Sequence, residues 1–289
     1  MQVKLQSFLL IAAVVLAGCV GQPGGTAGVG TAGVIITSFS PEVPEVEGGQ
    51  NVVFLTVIKN VGDVDATNLK ADVSGLEDWN NVGKPTFSTT LRGADVARGL
   101  EGDEAFGDFS ATAPKKEASV TYTPNLRVTY PYSTKSTIQL EFVSREVIRA
   151  APQEQSTAAV TTTGGPFVIS VRGKLPPIAS GSSVKVPVQL EIQNVGGGRA
   201  FLKDTTPSSD NIDKIKLTEE AKGPITAICT KDSDGNVRLT GGKSRIVSCT
   251  LTFNSVTAGS KATATLGITL DYDYFIETTT SVTVLKEVK

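Results

Sequence analysis

The stretch VVFLTVIKNVGDVDATNL (Val52–Leu69) returns in altered form as VKVPVQLEIQNVGGGRAFL (Val184–Leu202), and this internal repeat constrains the fold more than any other feature of the chain. Asn60-Val61-Gly62 falls on Asn194-Val195-Gly196, and Ala66 falls on Ala200. Each copy reads as a strand, a tight turn and a return strand, so one β-module is written twice. In the second copy Val184, Val186, Val188, Leu190 and Ile192 alternate with Lys185, Pro187, Gln189, Glu191 and Gln193. That period of two belongs to a strand with one face buried and the other in water. The first copy alternates less cleanly. With Val52, Phe54, Thr56 and Ile58 directed inward to match the repeat, Val53, Leu55 and Val57 make an apolar outer face. Such a face calls for a cover, supplied by the chain's own Glu77–Pro114 segment or by a partner or the second module. In the shared Asn-Val-Gly turn, asparagine bonds local backbone and glycine is expected to take a positive φ.

At 289 residues the chain has room for two domains of ordinary size. A content of 39% hydrophobic and 19% charged residues, with Gly 29 and Met 1, suits strands and turns better than helices. The expected class is all-β, as two tandem antiparallel β-sandwiches over residues 34–145 and 166–289, with a linker at 146–165. A formal net charge of −2 offers no footprint for a phosphate backbone, so nucleic acid is not an expected partner. With no histidine in the chain, the commonest general base and the commonest metal ligand are both missing. No enzymatic activity, cofactor or metal is expected.

Residues 1–18 read as a signal peptide: Lys4 precedes the apolar run Phe8–Ala17, which is too short to span a membrane comfortably. Leu16-Ala17-Gly18-Cys19 resembles the lipobox of prokaryotic lipoproteins. That resemblance implies lipidation of Cys19, which becomes the first mature residue. Two acyl chains there would hold the protein stably at a membrane. Residues 19–33 are mostly small and carry no charge, the composition of a flexible tether. The protein is therefore expected on the extracytoplasmic face of the cell membrane.

Once Cys19 is lipidated, Cys229 and Cys249 are the pair that remains, and an exported chain meets conditions that permit a disulfide. Closing a loop of about 20 residues would stabilise the second module by roughly 3 kcal/mol. Ile225–Thr230 and Val237–Leu239 flank Asp234-Gly235 and read as a β-hairpin. Asp103, Glu104 and Asp108 have oxygens suited to Ca²⁺, against the plainer reading of a solvated acidic loop. Trp79, Tyr130 and Tyr272 are candidate ligand contacts, since an indole or phenol ring can stack on a sugar; the competing use of each is packing. Thr129-Tyr130-Pro131-Tyr132 is echoed by Asp271-Tyr272-Asp273-Tyr274, which puts Tyr272 and Tyr274 on one strand face and the two aspartates on the other. Ser182-Ser183-Val184-Lys185 fits S-x-x-K, yet the motif needs a helix start and here opens a strand.

The strand followed by Asn60-Val61-Gly62 with Ala66, and again by Asn194-Val195-Gly196 with Ala200, resembles the Ig-like modules of the cell-adhesion-related (CARDB-type) family of bacterial and archaeal surface proteins. The resemblance implies Ig-like sandwiches and no enzymatic activity. The expected role is a lipid-anchored structural or adhesive protein that presents both modules to protein or glycan surfaces, with an open edge strand available for self-assembly. The alternative is an accessory solute- or polysaccharide-binding lipoprotein with a concave aromatic site. A hydrolase would need two carboxylates in one cleft, and the sequence singles out no such pair.

Overall fold

The computed structural model describes residues 32–87, 90–223 and 225–287. Cys19, the signal segment and the tether up to residue 31 lie outside the described residues. In chain order the first half forms β1 (Val34–Pro41), β2 (Glu45–Val46), β3 (Asn51–Asn60), β4 (Ala66–Thr67), β5 (Lys70–Ser74), β6 (Thr90–Leu91), β7 (Glu104–Thr112), β8 (Val120–Tyr122) and β9 (Asn125–Val143). The expected linker contains a short helix, α1 (Arg145–Ala150), and β10 (Thr157–Thr162). The second half forms β11 (Phe167–Val171), β12 (Gly181–Asn194), β13 (Arg199–Phe201), β14 (Lys214–Lys222), β15 (Ile225–Cys229), β16 (Val237–Arg238), β17 (Ser244–Val256), β18 (Lys261–Thr279) and β19 (Val282–Val284). The fold is all-β.

The repeat has a direct structural counterpart. β1 pairs antiparallel with β3 so that Val34 faces Asn60, and β11 pairs with β12 so that Phe167 faces Asn194. β7 then flanks β3, and β17 flanks β12. Val52, Phe54, Thr56 and Ile58 are buried as the alternation requires.

The two halves meet through their longest strands. β9 and β18 pair antiparallel over 19 residues each, from Asn125 opposite Thr279 to Val143 opposite Lys261. The sequence suggests two separate strands around Arg127–Tyr132 and Thr137–Val143; in the structure they run on as one. Leu126, Val128, Tyr130, Tyr132, Thr134, Ser136, Ile138, Leu140 and Phe142 are all buried, so one unbroken alternation carries the strand through Pro131. A proline deprives a central strand of a ladder donor. It is accommodated because β5 leaves β9 at Thr129 and β10 joins only at Ser136, so Pro131 lies in the gap between them.

A single hydrophobic core runs through both halves, from Ile58 and Leu126 to Leu190 and Leu266. A smaller cluster around Phe54, Trp79 and Phe109 also takes in Val282 and Val284 from the C-terminal end. β19 lies between β2 and β8, both from the first half, so the end of the chain closes the first half's small sheet. The expected hairpin around Asp234-Gly235 is corrected: β15 pairs with β17, and β16 pairs with β14. The two arms therefore belong to different sheets.

Candidate functional site

The Asn-Val-Gly turns organise the junction. In the first copy Asn60 Nδ2 donates to the carbonyls of Val64 (2.9 Å) and Leu91 (3.0 Å), while its Oδ1 accepts from the Gly62 N–H at 3.0 Å. In the second, Asn194 Nδ2 donates to Gly198 and Gly242 carbonyls, both at 2.9 Å, and Oδ1 accepts from the Gly196 N–H at 3.1 Å. The same side chain thus closes its own turn and pins a distant loop in both halves. The glycine is required for a reason other than the expected positive φ. A Cβ added at Gly62 would come within 2.3 Å of the Tyr132 hydroxyl oxygen, and one at Gly196 within 2.6 Å of that of Tyr274.

Those tyrosines stand on the inner face of the β9–β18 pair. Tyr130 is opposite Tyr274 and Tyr132 opposite Tyr272, and Phe167 packs edge-on against Tyr272 with ring centroids 4.8 Å apart. Each hydroxyl has a partner: the Val34 N–H donates to Tyr130, Tyr132 donates to the Gly164 carbonyl, Tyr272 bonds Thr134, and Tyr274 donates to Asn194 Oδ1. Burial raises the Tyr274 phenol to about 12 and carries Tyr130 and Tyr272 well above the ordinary tyrosine range, so all three stay neutral. The Gly33 carbonyl accepts from the N–H groups of Val61 and Gly62. The chain therefore enters the folded body on the tyrosine side of the shared sheet.

Successive strand residues point to opposite faces, so the neighbours of these tyrosines look the other way. Pro131 and Asp273 face each other across the β9–β18 ladder on the outer side. They form the floor of an open groove of about 760 Å³, walled by Asn68–Lys70 from the first half and Asp204–Thr206 from the second. Asn68 holds φ +51°, a left-handed conformation that asparagine tolerates. Asn68 and Lys70 correspond, in the repeat, to Leu202 and Asp204. The groove thus lies on the line that relates the two halves. Asp273 is half-buried, and its Oδ2 accepts from the Asp204 N–H at 2.9 Å. Desolvation raises its pKa above the usual aspartate value, against the opposing pull of that N–H, Lys203 and Lys70.

A second surface feature is the outer face of β3 and β7. Val57 lies opposite Phe106, which is 74% exposed, beside Leu55 at 47%. The Glu77–Pro114 segment does not cover this face, contrary to expectation. Its second part is β7 itself, and its first part runs along the far edge of β7, where Asn80 and Thr112 exchange backbone hydrogen bonds.

The expected ligand contacts are corrected by burial. Tyr130 and Tyr272 are fully buried and Trp79 is 5% exposed, so none has a ring face open to a ligand. Trp79 packs edge-on against Phe54 and Tyr122 instead. The acidic stretch at Asp103–Asp108 is also corrected. Asp103 binds the Arg92 guanidinium through two hydrogen bonds, Glu104 pairs with Lys59, and residues 104–108 belong to β7. Cys229 and Cys249 form the disulfide, joining directly opposed residues of β15 and β17. Sequence reasoning missed the groove. It placed Asp273 on the face opposite the tyrosines, but Asn68, Lys70 and Asp204 carry no local motif.

No protein-family model matches the chain, and no curated protein matches it. Among solved structures it is similar to a secreted serine protease, VesC from Vibrio cholerae, with 10% identity over 83% of this chain and a TM-score of 0.21. The match takes in 51% of the protease's length. At that score the likeness carries no argument about fold or chemistry. The exclusion of enzymatic activity made from the sequence is withdrawn as a correction: the similar structure is that of an enzyme, and a likeness at this score neither assigns nor excludes an activity here. Among the described residues no helix is long and apolar enough to cross a membrane.

Proposed function

We propose that this chain is a lipid-anchored extracytoplasmic contact protein, presenting two Ig-like modules of the cell-adhesion-related type to protein or glycan surfaces. The observation that supports this reading best is the placement of chain entry and groove on opposite faces of one sheet. Gly33 and Val34 dock on the tyrosine side, whereas the groove over Pro131 and Asp273 opens on the other. A tether attached at Cys19 therefore leaves the groove free to face outward. The β9–β18 ladder and the β19 crossover hold both halves as one body, which suits a part that must bear load between a membrane and a partner.

Fractionation of cells expressing the wild type and Cys19→Ser tests the reading. The wild type is expected in the membrane fraction and open to protease added outside intact cells, and the variant is expected to be released from the membrane. A Cys19→Ser protein that stays firmly membrane-bound after signal processing, or a wild type sealed from external protease, refutes it.

A further inference from the structure

We propose that the groove between Asn68–Lys70 and Asp204–Thr206 is a saccharide-binding site, recognising neutral sugar hydroxyls through Asp273, Asp204, Asn68 and Lys70. The inference rests on the contact reading above and names the chemistry of that contact.

The fold leaves several polar side chains around this groove uncommitted. Among the described residues, the side chains of Asn68, Lys70, Thr129, Asp204 and Thr206 make no hydrogen bond or ion pair within the protein, although they converge on one groove. Asp273 makes a single bond, to a backbone N–H. Lys70 and Asp204, on opposite walls of the groove, form no ion pair with each other. What remains is a set of donors and acceptors in near balance: carboxylates and an amide oxygen that accept, an ammonium and an amide nitrogen that donate, and hydroxyls that do both.

That balance decides between ligand classes. A phosphate or other polyanion would meet Asp204 and Asp273, and a polycation would meet Lys70 with Lys203 beside it. Neutral hydroxyls, each able to donate and accept, match every group at once. Asp273 is already half-buried and poorly solvated, so accepting a hydroxyl proton costs it little further hydration and replaces what burial removed. Leu69 and Pro131 supply apolar surface for the C–H face of a sugar ring. The volume of about 760 Å³ lies within the range of small-molecule sites, and the groove sits at the junction of two repeats, where such sites concentrate. With no aromatic ring exposed on its floor, binding is expected to be weak, with a Kd of about 1 mM.

The test uses the full-length protein in detergent micelles and saturation-transfer NMR. The probes are neutral α- and β-linked hexose oligosaccharides, with a uronate oligosaccharide and an oligolysine peptide as separate arms. The wild type is expected to bind at least one neutral oligosaccharide. Asp273→Ala and Lys70→Ala should each weaken it by about tenfold or more, the worth of one charge-assisted hydrogen bond. Phe106→Ser, on a different face, should leave it unchanged, and circular dichroism should report every variant folded. If Asp273→Ala fails to fold, Asp204→Asn with Lys70→Ala carries the test. The proposal is overturned if no neutral oligosaccharide binds at up to about 10 mM, if either charged arm binds more tightly, or if binding ignores the groove substitutions. The NMR readout needs no lipid anchor. Failure here with the membrane fractionation intact removes the groove alone, whereas failure of the fractionation leaves the groove test standing.

Discussion

Replacing Asn60 by alanine should destabilise the protein more than the matching change at Asn194, although Asn194 makes the same three bonds and accepts a fourth from the Tyr274 hydroxyl. Asn60 is fully buried, and its amide serves the Gly62 N–H and the Leu91 carbonyl in regions without water. Each group left buried without a partner costs about 1–3 kcal/mol, so Asn60→Ala should cost about 3–4 kcal/mol, or about 6–16 °C in Tm for a chain of this size. Asn194 is half-buried, and all four of its bonds, to the Gly196 N–H, the Gly198 and Gly242 carbonyls and the Tyr274 hydroxyl, are only part-buried, so water can replace the amide once it is gone. Its loss should cost about 1–2 kcal/mol. Urea denaturation measures both, with Trp79 fluorescence reporting the first half and near-ultraviolet circular dichroism reporting the tyrosines at the junction. The two probes should trace one transition, because the β9–β18 ladder couples the halves. A cost below about 1 kcal/mol at Asn60, or an equal cost at both positions, refutes the burial argument. Separate transitions for the two probes refute the coupling.

Three further outcomes are expected. Truncation after Thr279 removes Val282 and Val284 from the cluster around Trp79, and should shift tryptophan emission to longer wavelength despite a separation of some 200 residues; an unshifted spectrum contradicts the crossover of β19. Thr56→Val keeps the side-chain shape while removing a buried hydroxyl that has no hydrogen-bond partner, and thermal melting should show a gain of about 1 kcal/mol. Asp273 has a raised folded pKa, so the folded state binds its proton more tightly than the unfolded chain does. Stability from this group is present below the ordinary aspartate value of about 3.9 and falls as pH rises through the folded pKa. Asp273→Asn should therefore match the wild type at low pH and exceed its stability at neutral pH; a variant less stable at pH 7 rules this out.

The strands and their inward faces were legible in the sequence, because a period of two in β3 and β12 depends only on which residues avoid water. The Asn-Val-Gly turns and the Cys229–Cys249 bridge were legible too, since turn chemistry and thiol pairing act over short or countable distances. The extent of β9 was not: a proline in mid-strand reads as a break, and only the gap between β5 and β10 explains why Pro131 breaks nothing. The role of Gly62 and Gly196 was likewise hidden, since the tyrosine hydroxyls that forbid a Cβ there lie 70 or more residues away in the chain.

What the chain's pattern determined alone is a β-module written twice, each with a buried face and an asparagine-pinned turn. The tertiary structure decided that the two copies share one sheet, that β19 returns to close the first half, and that Trp79, Tyr130 and Tyr272 are interior. It also brought Asn68, Lys70, Asp204 and Asp273 to one groove. The reason is physical: alternation records whether a side chain is buried, whereas pairing between distant strands, and the surfaces it assembles, depends on which buried faces fit one another in three dimensions.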